Sequence, residues 1–186
     1  MGVWTTPEGT FTIEEFKRLP LEGRRWELLD GHVVQMEPHS FETSILTSRL
    51  MVAMGNHVDD RRLGYVLGPG CGFRSWPDHE TVRVTDMSFT RSDLEPRSQF
   101  DDDFPRFAPD LIVEVFSPFE RLATVLGRIA MFLQAGTTVA WFVNPVSQAV
   151  TVFAQNSPIN VIRGGEMLDG AEILPAFRIS IAAISI

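Results

Sequence analysis

The segment Pro109-Asp110-Leu111-Ile112-Val113-Glu114-Val115-Phe116-Ser117-Pro118 constrains the fold more than any other part of the chain. A proline turn opens it and Ser-Pro closes it. Five of the six residues from Leu111 to Phe116 are strongly apolar, the pattern of a strand covered on both faces. The exception is Glu114. On a strand it points the same way as Ile112 and Phe116, into the layer that covers that face. A carboxylate there is costly to bury unless it is protonated, paired or bound to a metal. An arginine partner in the core would satisfy it structurally. A metal or catalytic role requires further acids converging on it.

With 186 residues the chain is long enough for one domain with a sizeable core, and one domain spanning 1–186 is expected. The net charge of −8 disfavours nucleic acid over the surface as a whole, so any such contact needs a local basic patch. Lys17 is the one lysine; all other strongly basic residues are arginines. Cys71 is the one cysteine, which excludes an intramolecular disulfide or a Cys-pair metal site. Neither a secretory signal nor a run of about 18 apolar residues is visible, so a cytoplasmic chain without a membrane partner is expected.

Thr12 followed by Glu15 predicts a capped helix running to about Leu19, ended by Pro20. Strands are expected over 25–29 and 32–36, joined at Asp30-Gly31. A helix is expected from about Phe41 to Asp59, with Ile45, Leu46, Arg49, Leu50, Val52, Ala53 and Met54 as core positions at helical spacing. Strands over 64–67 and 71–76 flank Gly68-Pro69-Gly70, and a strand over 81–89 puts Val82, Val84, Asp86 and Ser88 on one side. The polar stretch 91–108 reads as a surface loop, with Asp101-Asp102-Asp103 as solvated charge. A helix over 119–135 buries Leu122, Val125, Leu126, Ile129, Phe132 and Leu133, and sets Arg121, Thr124 and Arg128 on a polar side. Further strands are expected over 139–143, 150–154, 159–163 and 177–181. The sum is an α/β chain with a mixed sheet flanked by helices. There is no glycine-rich phosphate loop and no Gly-x-Ser-x-Gly, and the four histidines show no ligand spacing.

Three acids interrupt otherwise apolar strand faces: Glu27, Asp86 and Glu114. Converging carboxylates repel one another unless a cation neutralises them. An oxygen donor set without Cys or His favours Mg²⁺ or Mn²⁺. Such a site can polarise a phosphoryl oxygen and activate water, the chemistry of phosphodiester cleavage.

Several stretches together resemble the Uma2 family of restriction endonuclease-like proteins: Trp26-Glu27-Leu28-Leu29-Asp30-Gly31, Val84-Thr85-Asp86-Met87-Ser88-Phe89, and Ala108-Pro109-Asp110-Leu111-Ile112-Val113-Glu114-Val115-Phe116-Ser117-Pro118. Ala135-Gly136, Val139 to Pro145 and Leu168 to Phe177 continue the likeness. The resemblance implies the restriction endonuclease-like fold of the PD-(D/E)xK superfamily. It gives Asp86 the place of the first motif aspartate, Glu114 that of the second acid, and Glu27 that of the additional acid near the N-terminus. The Val115 carbonyl becomes a further metal contact. Where the simplest superfamily motif has lysine, two residues after the acid, this chain has Phe116. The lysine of the Uma2 pattern, on the next helix, falls at Arg128, which stays protonated and so acts through charge rather than as a base. The family's Asp-Gly-Glu is Asp30-Gly31-His32 here, and its helix histidine is Thr43.

Two functions follow. One is a Mg²⁺- or Mn²⁺-dependent endonuclease acting on DNA, with Glu27, Asp86, Glu114 and Arg128 as catalytic residues. The other is a non-catalytic nuclease-fold module that binds nucleic acid or a protein. A homodimer, through the apolar tail 177–186 or the helix after His39, is compatible with either.

Overall fold

The structure, a computed structural model, describes residues 7–21, 25–92 and 104–184. The Asp101–Asp103 triplet and most of the polar stretch around it lie outside these. Helix α1 (Ile13–Phe16) carries the expected capping box between Thr12 and Glu15, and it is shorter than expected. Strands β1 (Trp26–Leu29) and β2 (His32–Gln35) form a hairpin. Its turn residues Asp30 and Gly31 both have positive φ (46° and 80°), the geometry that makes Asp-Gly a favoured two-residue hairpin loop. The Ser40 hydroxyl caps helix α2 (Phe41–Arg61), and Arg62 ends it in the left-handed region.

The main sheet has six strands in the order β10-β9-β8-β7-β6-β3. They are β3 (Gly64–Leu67), β6 (Met87–Arg91), β7 (Leu111–Val115), β8 (Val139–Asn144), β9 (Ala149–Ala154) and β10 (Asn160–Arg163). β7 and β8 pair in parallel and the other neighbours are antiparallel, so the sheet is mixed. The parallel pair needs a crossover, supplied by helix α3 (Leu122–Gln134).

β7 is buried along its whole length, and its alternation divides the core. Leu111, Val113 and Val115 pack with Leu46, Leu50, Met54 and Val58 of α2. Ile112 packs with Val125, Ile129 and Phe132 of α3. Each fully buried side chain of this size stabilises the fold by about 1.5–3 kcal/mol. A third cluster ties α1 and the hairpin together through Ile13, Phe16, Trp26, Leu28, Val33 and Val82. The C-terminal hairpin of β11 (Met167–Asp169) and β12 (Arg178–Ser180) leads into α4 (Ile181–Ile184). Phe177, Ile181 and Ile184 are buried in the α2-side core, so these side chains of the apolar tail are covered by the chain itself.

Four expectations are corrected. The strand expected over 71–76, after Gly68-Pro69-Gly70, lies apart from β3, whose partner is β6. That following strand is short, β4 (Gly72–Phe73), and it pairs with β5 (Arg83–Val84). The single strand expected over 81–89 is broken at Thr85-Asp86, because the Asp86 carboxylate takes the Val115 amide at 2.8 Å where backbone pairing would otherwise continue. Val52 is 61% exposed, not core. On α3, Leu122 and Leu126 are 47% and 37% exposed, whereas Arg128 is 2% exposed. Among the described residues no helix is long and apolar enough to cross a membrane.

Candidate active site

The site forms where the main sheet forks. β6 stays in the sheet beside β7, while β5 leaves to join β4, and Leu28 of β1 bridges to Val82 just before β5. Three strands are thereby brought together at the C-terminal end of β7. Glu27 comes from β1, Asp86 from the break between β5 and β6, and Glu114 from β7. All three are buried.

Each acid is held differently. Asp86 Oδ2 accepts the Val115 amide at 2.8 Å. Its Oδ1 accepts Arg25 Nη1 at 3.0 Å and stands 2.7 Å from His39 Nε2. Burial alone would push the Asp86 carboxyl up. The bond and charge of His39, with the Val115 amide and Arg25, outweigh it and hold Asp86 below the ordinary aspartate value. Glu27 Oε1 accepts the Val84 amide at 2.8 Å and Arg83 Nε at 3.2 Å, which fixes it to the start of the fork.

Glu114 faces α3, and Arg128 meets it there. Arg128 Nε and Nη2 both lie 3.0 Å from Glu114 Oε2. The same guanidinium reaches Glu120 Oε1 at 2.7 Å and stands 3.8 Å from Glu27 Oε2. One cation thus serves three carboxylates. Burial tends to drive the proton off Arg128, but Glu114, Glu27 and Glu120 together raise it above the ordinary arginine value. Glu114 is left under-neutralised. Burial first, with the charges of Asp86 and Glu27, outweighs Arg128 and pushes the Glu114 carboxyl up to about 8. Its second oxygen, Oε1, is buried with no hydrogen-bond partner among the described residues.

Beside these groups a cleft of about 350 Å³ opens between β2 and the N-terminal end of α3. Glu27, Phe119, Glu120, Arg121, Thr124 and Arg128 line it. Arg121, Thr124 and Arg128 share one wall, as their spacing predicts. Glu114 is not part of the lining; Arg128 stands between it and the cleft.

The donors suit a hard divalent cation. They are oxygens throughout, and Glu114 Oε1 is a buried carboxyl oxygen with no hydrogen-bond partner among the described residues. They are not preassembled, however. Among the described residues no group of three or more His, Cys, Asp and Glu side chains stands together as a ready metal cluster. Arginines are interleaved with the acids instead.

Four partners were not among the candidates from sequence: Arg25, His39, Arg83 and Glu120. His39 was passed over because only spacing between histidines was considered. Its signal is its place, directly before the Ser40 cap of α2. Arg83 carried the plainest signal, a charge between Val82 and Val84 in a strand. Glu120 follows the Ser-Pro that closes the central strand and lies outside α3.

The family profile of Uma2, described as "Putative restriction endonuclease", matches residues 13–182. No curated protein matches the chain. Among solved structures, the chain is similar to a crystallised protein from Anabaena variabilis described as a putative nuclease belonging to DUF820. The TM-score is 0.78 at 21% identity, covering 94% of this chain and 97% of that one. At that identity the likeness speaks for the fold, a mixed sheet with helices on both faces.

Proposed function

The chain belongs to the Uma2 family, and from that premise we propose that it is a divalent-cation-dependent endonuclease that hydrolyses phosphodiester bonds of DNA in the cytoplasm. The observation that carries the reading is three buried acids, Glu27 on β1, Asp86 between β5 and β6 and Glu114 on β7, near enough for the charges of Asp86 and Glu27 to act on Glu114, whose Oε1 is buried and has no hydrogen-bond partner among the described residues. A merely structural core has no need to gather acids at the end of its central strand.

Asp86 and Glu114, with the Val115 carbonyl between their strands and Glu27 bordering them, are the residues that would hold Mg²⁺ or Mn²⁺. When bound, the ion supplies Lewis-acid activation of the phosphodiester and of the attacking water. The chain's own groups do the rest. The Val115 amide, Arg25 and His39 fix the Asp86 carboxylate in one orientation. Arg83 and the Val84 amide do the same for Glu27. Arg128, permanently charged and lining the cleft, offers the developing negative charge of the phosphoryl group a preorganised counter-charge. Arg121 and Thr124 add a cation and a hydroxyl on the same wall for flanking phosphates.

A second reading, a non-catalytic nuclease-fold module, is favoured by one observation: every acid in the site already has a basic partner in the protein. The net charge of −8 points the same way. Cleavage of plasmid and single-stranded DNA with Mg²⁺ or Mn²⁺ separates the two. The nuclease should cut, and Asp86→Ala and Glu114→Ala should each lower the rate at least a hundredfold. DNA binding without cutting would support the second reading. Cutting that persists unchanged in both variants would remove the site assignment.

A further inference from the structure

The position of Arg128 says more than that it is a core ion pair. It is 2% exposed, yet it lines the cleft, and Glu114 lies on its far side. Its three carboxylate partners differ in how else they are held. Glu27 has Arg83 and the Val84 amide on its other oxygen. Glu114 has nothing on Oε1. Glu120 makes the shortest contact, 2.7 Å, and is the most exposed of the three. It sits just before α3, on the cleft side.

We infer that Arg128 is a built-in counter-ion that keeps the acids together while no cation is bound, and that Glu120 is the positioning residue that retains Arg128 when Glu114 turns to a cation. This deepens the proposed function and rests on its cation site. A guanidinium and a divalent ion drawn to the same Glu114 carboxylate repel one another at close range, so they compete. Competition need not expel Arg128. The fork of a guanidinium presents separate N–H donors, so Nη2 can stay on Glu120 while the bond from Nε to Glu114 is given up. Arg128 would then remain at the cleft wall, facing a phosphate, without shielding Glu114. An ammonium at this position could not divide itself among three acids in this way.

The test is direct Mn²⁺ binding to the full chain, by calorimetry and by the loss of the free-ion electron paramagnetic resonance signal, with no nucleic acid present. Arg128→Met should bind Mn²⁺ at least tenfold more tightly than wild type. Glu120→Gln should bind severalfold more weakly than wild type, because Arg128 then leans on Glu114 and Glu27 alone. Simple loss of a nearby negative charge would also weaken binding, so the same change is made in Arg128→Met. There Glu120→Gln should weaken binding clearly less than it does beside Arg128, since only the lost charge remains to act and no guanidinium is left to be shared. Equal weakening in both backgrounds would overturn the role of Glu120, and no gain in Arg128→Met would overturn the role of Arg128. If Arg128→Met melts below the assay temperature, Arg128→Gln, which also removes the charge, replaces it with the same expected order of affinities. Asp86→Asn and Glu114→Gln separate the two levels of the argument. Mn²⁺ binding lost in both, without gain in the Arg128 variants, overturns the inference alone. Mn²⁺ binding absent throughout, or unaffected by Asp86→Asn and Glu114→Gln, overturns the cation site itself.

Discussion

Glu114→Gln should stabilise the cation-free protein, and increasingly so as pH rises. The Glu114 carboxyl is raised from 4.5 to about 8, first by burial and then by the charges of Asp86 and Glu27, with Arg128 opposing. Between those two values the folded state binds a proton at this site that the unfolded chain has released. Stability therefore falls with increasing pH across the window, the reverse of an ordinary salt-bridged acid. At about 1.4 kcal/mol per pKa unit, full ionisation of Glu114 costs on the order of 5 kcal/mol, a large share of the ~5–15 kcal/mol that holds a domain together. Between pH 5 and pH 8 the linkage relation gives a penalty that grows by roughly 3 kcal/mol. The amide of Gln keeps the shape and does not titrate, so any fixed effect of the substitution is the same at every pH. Urea unfolding in EDTA, followed by fluorescence of the buried Trp141, measures the difference at each pH. It should widen steadily from pH 5 to pH 8, and Mn²⁺ at pH 8 should narrow it by stabilising the ionised wild type. A difference that stays flat would mean that Arg128 neutralises Glu114 fully, and the account of an under-served carboxylate would be wrong.

Two further outcomes are expected. Arg128→Ala should lower stability by about 3–5 kcal/mol, the usual cost of stripping a buried acid of its partner, as well as slow any cleavage; Arg128→Lys should keep the fold in thermal melts. Asp86 is held below its ordinary value, so its stabilisation is present at neutral pH and is lost as pH falls below about 4. Asp86→Asn should therefore flatten the acid limb of the stability profile, and an unchanged limb would refute the assignment.

The architecture was largely legible because it rests on patterns that depend on neighbours in sequence. The Thr12 cap, the Asp30-Gly31 turn and the doubly covered run 111–115 each declare themselves locally, and each stands as expected. What was not legible depends on neighbours in space. The partner of β3 is β6, more than twenty residues on, and no local signal in 64–67 names it. The break at Thr85-Asp86 was invisible because a side chain, not a proline or glycine, interrupts the pairing.

The orientation of α3 follows from the site. Apolar spacing alone puts Leu122 and Leu126 inside, yet they are partly exposed, while Arg128, which shares the cleft wall with Arg121 and Thr124, is buried. Burying two leucines would gain a few kcal/mol. Leaving Glu114 buried opposite an apolar helix face would cost at least as much, since an unpaired carboxylate in a dry interior is among the most expensive groups to hold. The helix therefore turns its charge inward, and Leu122 and Leu126 face outward as the consequence. Glu114 on β7 thus dictates which face of α3 is inside. Glu114, Arg128 and Glu120 form one electrostatic unit, and the orientation of the crossover helix is part of the site.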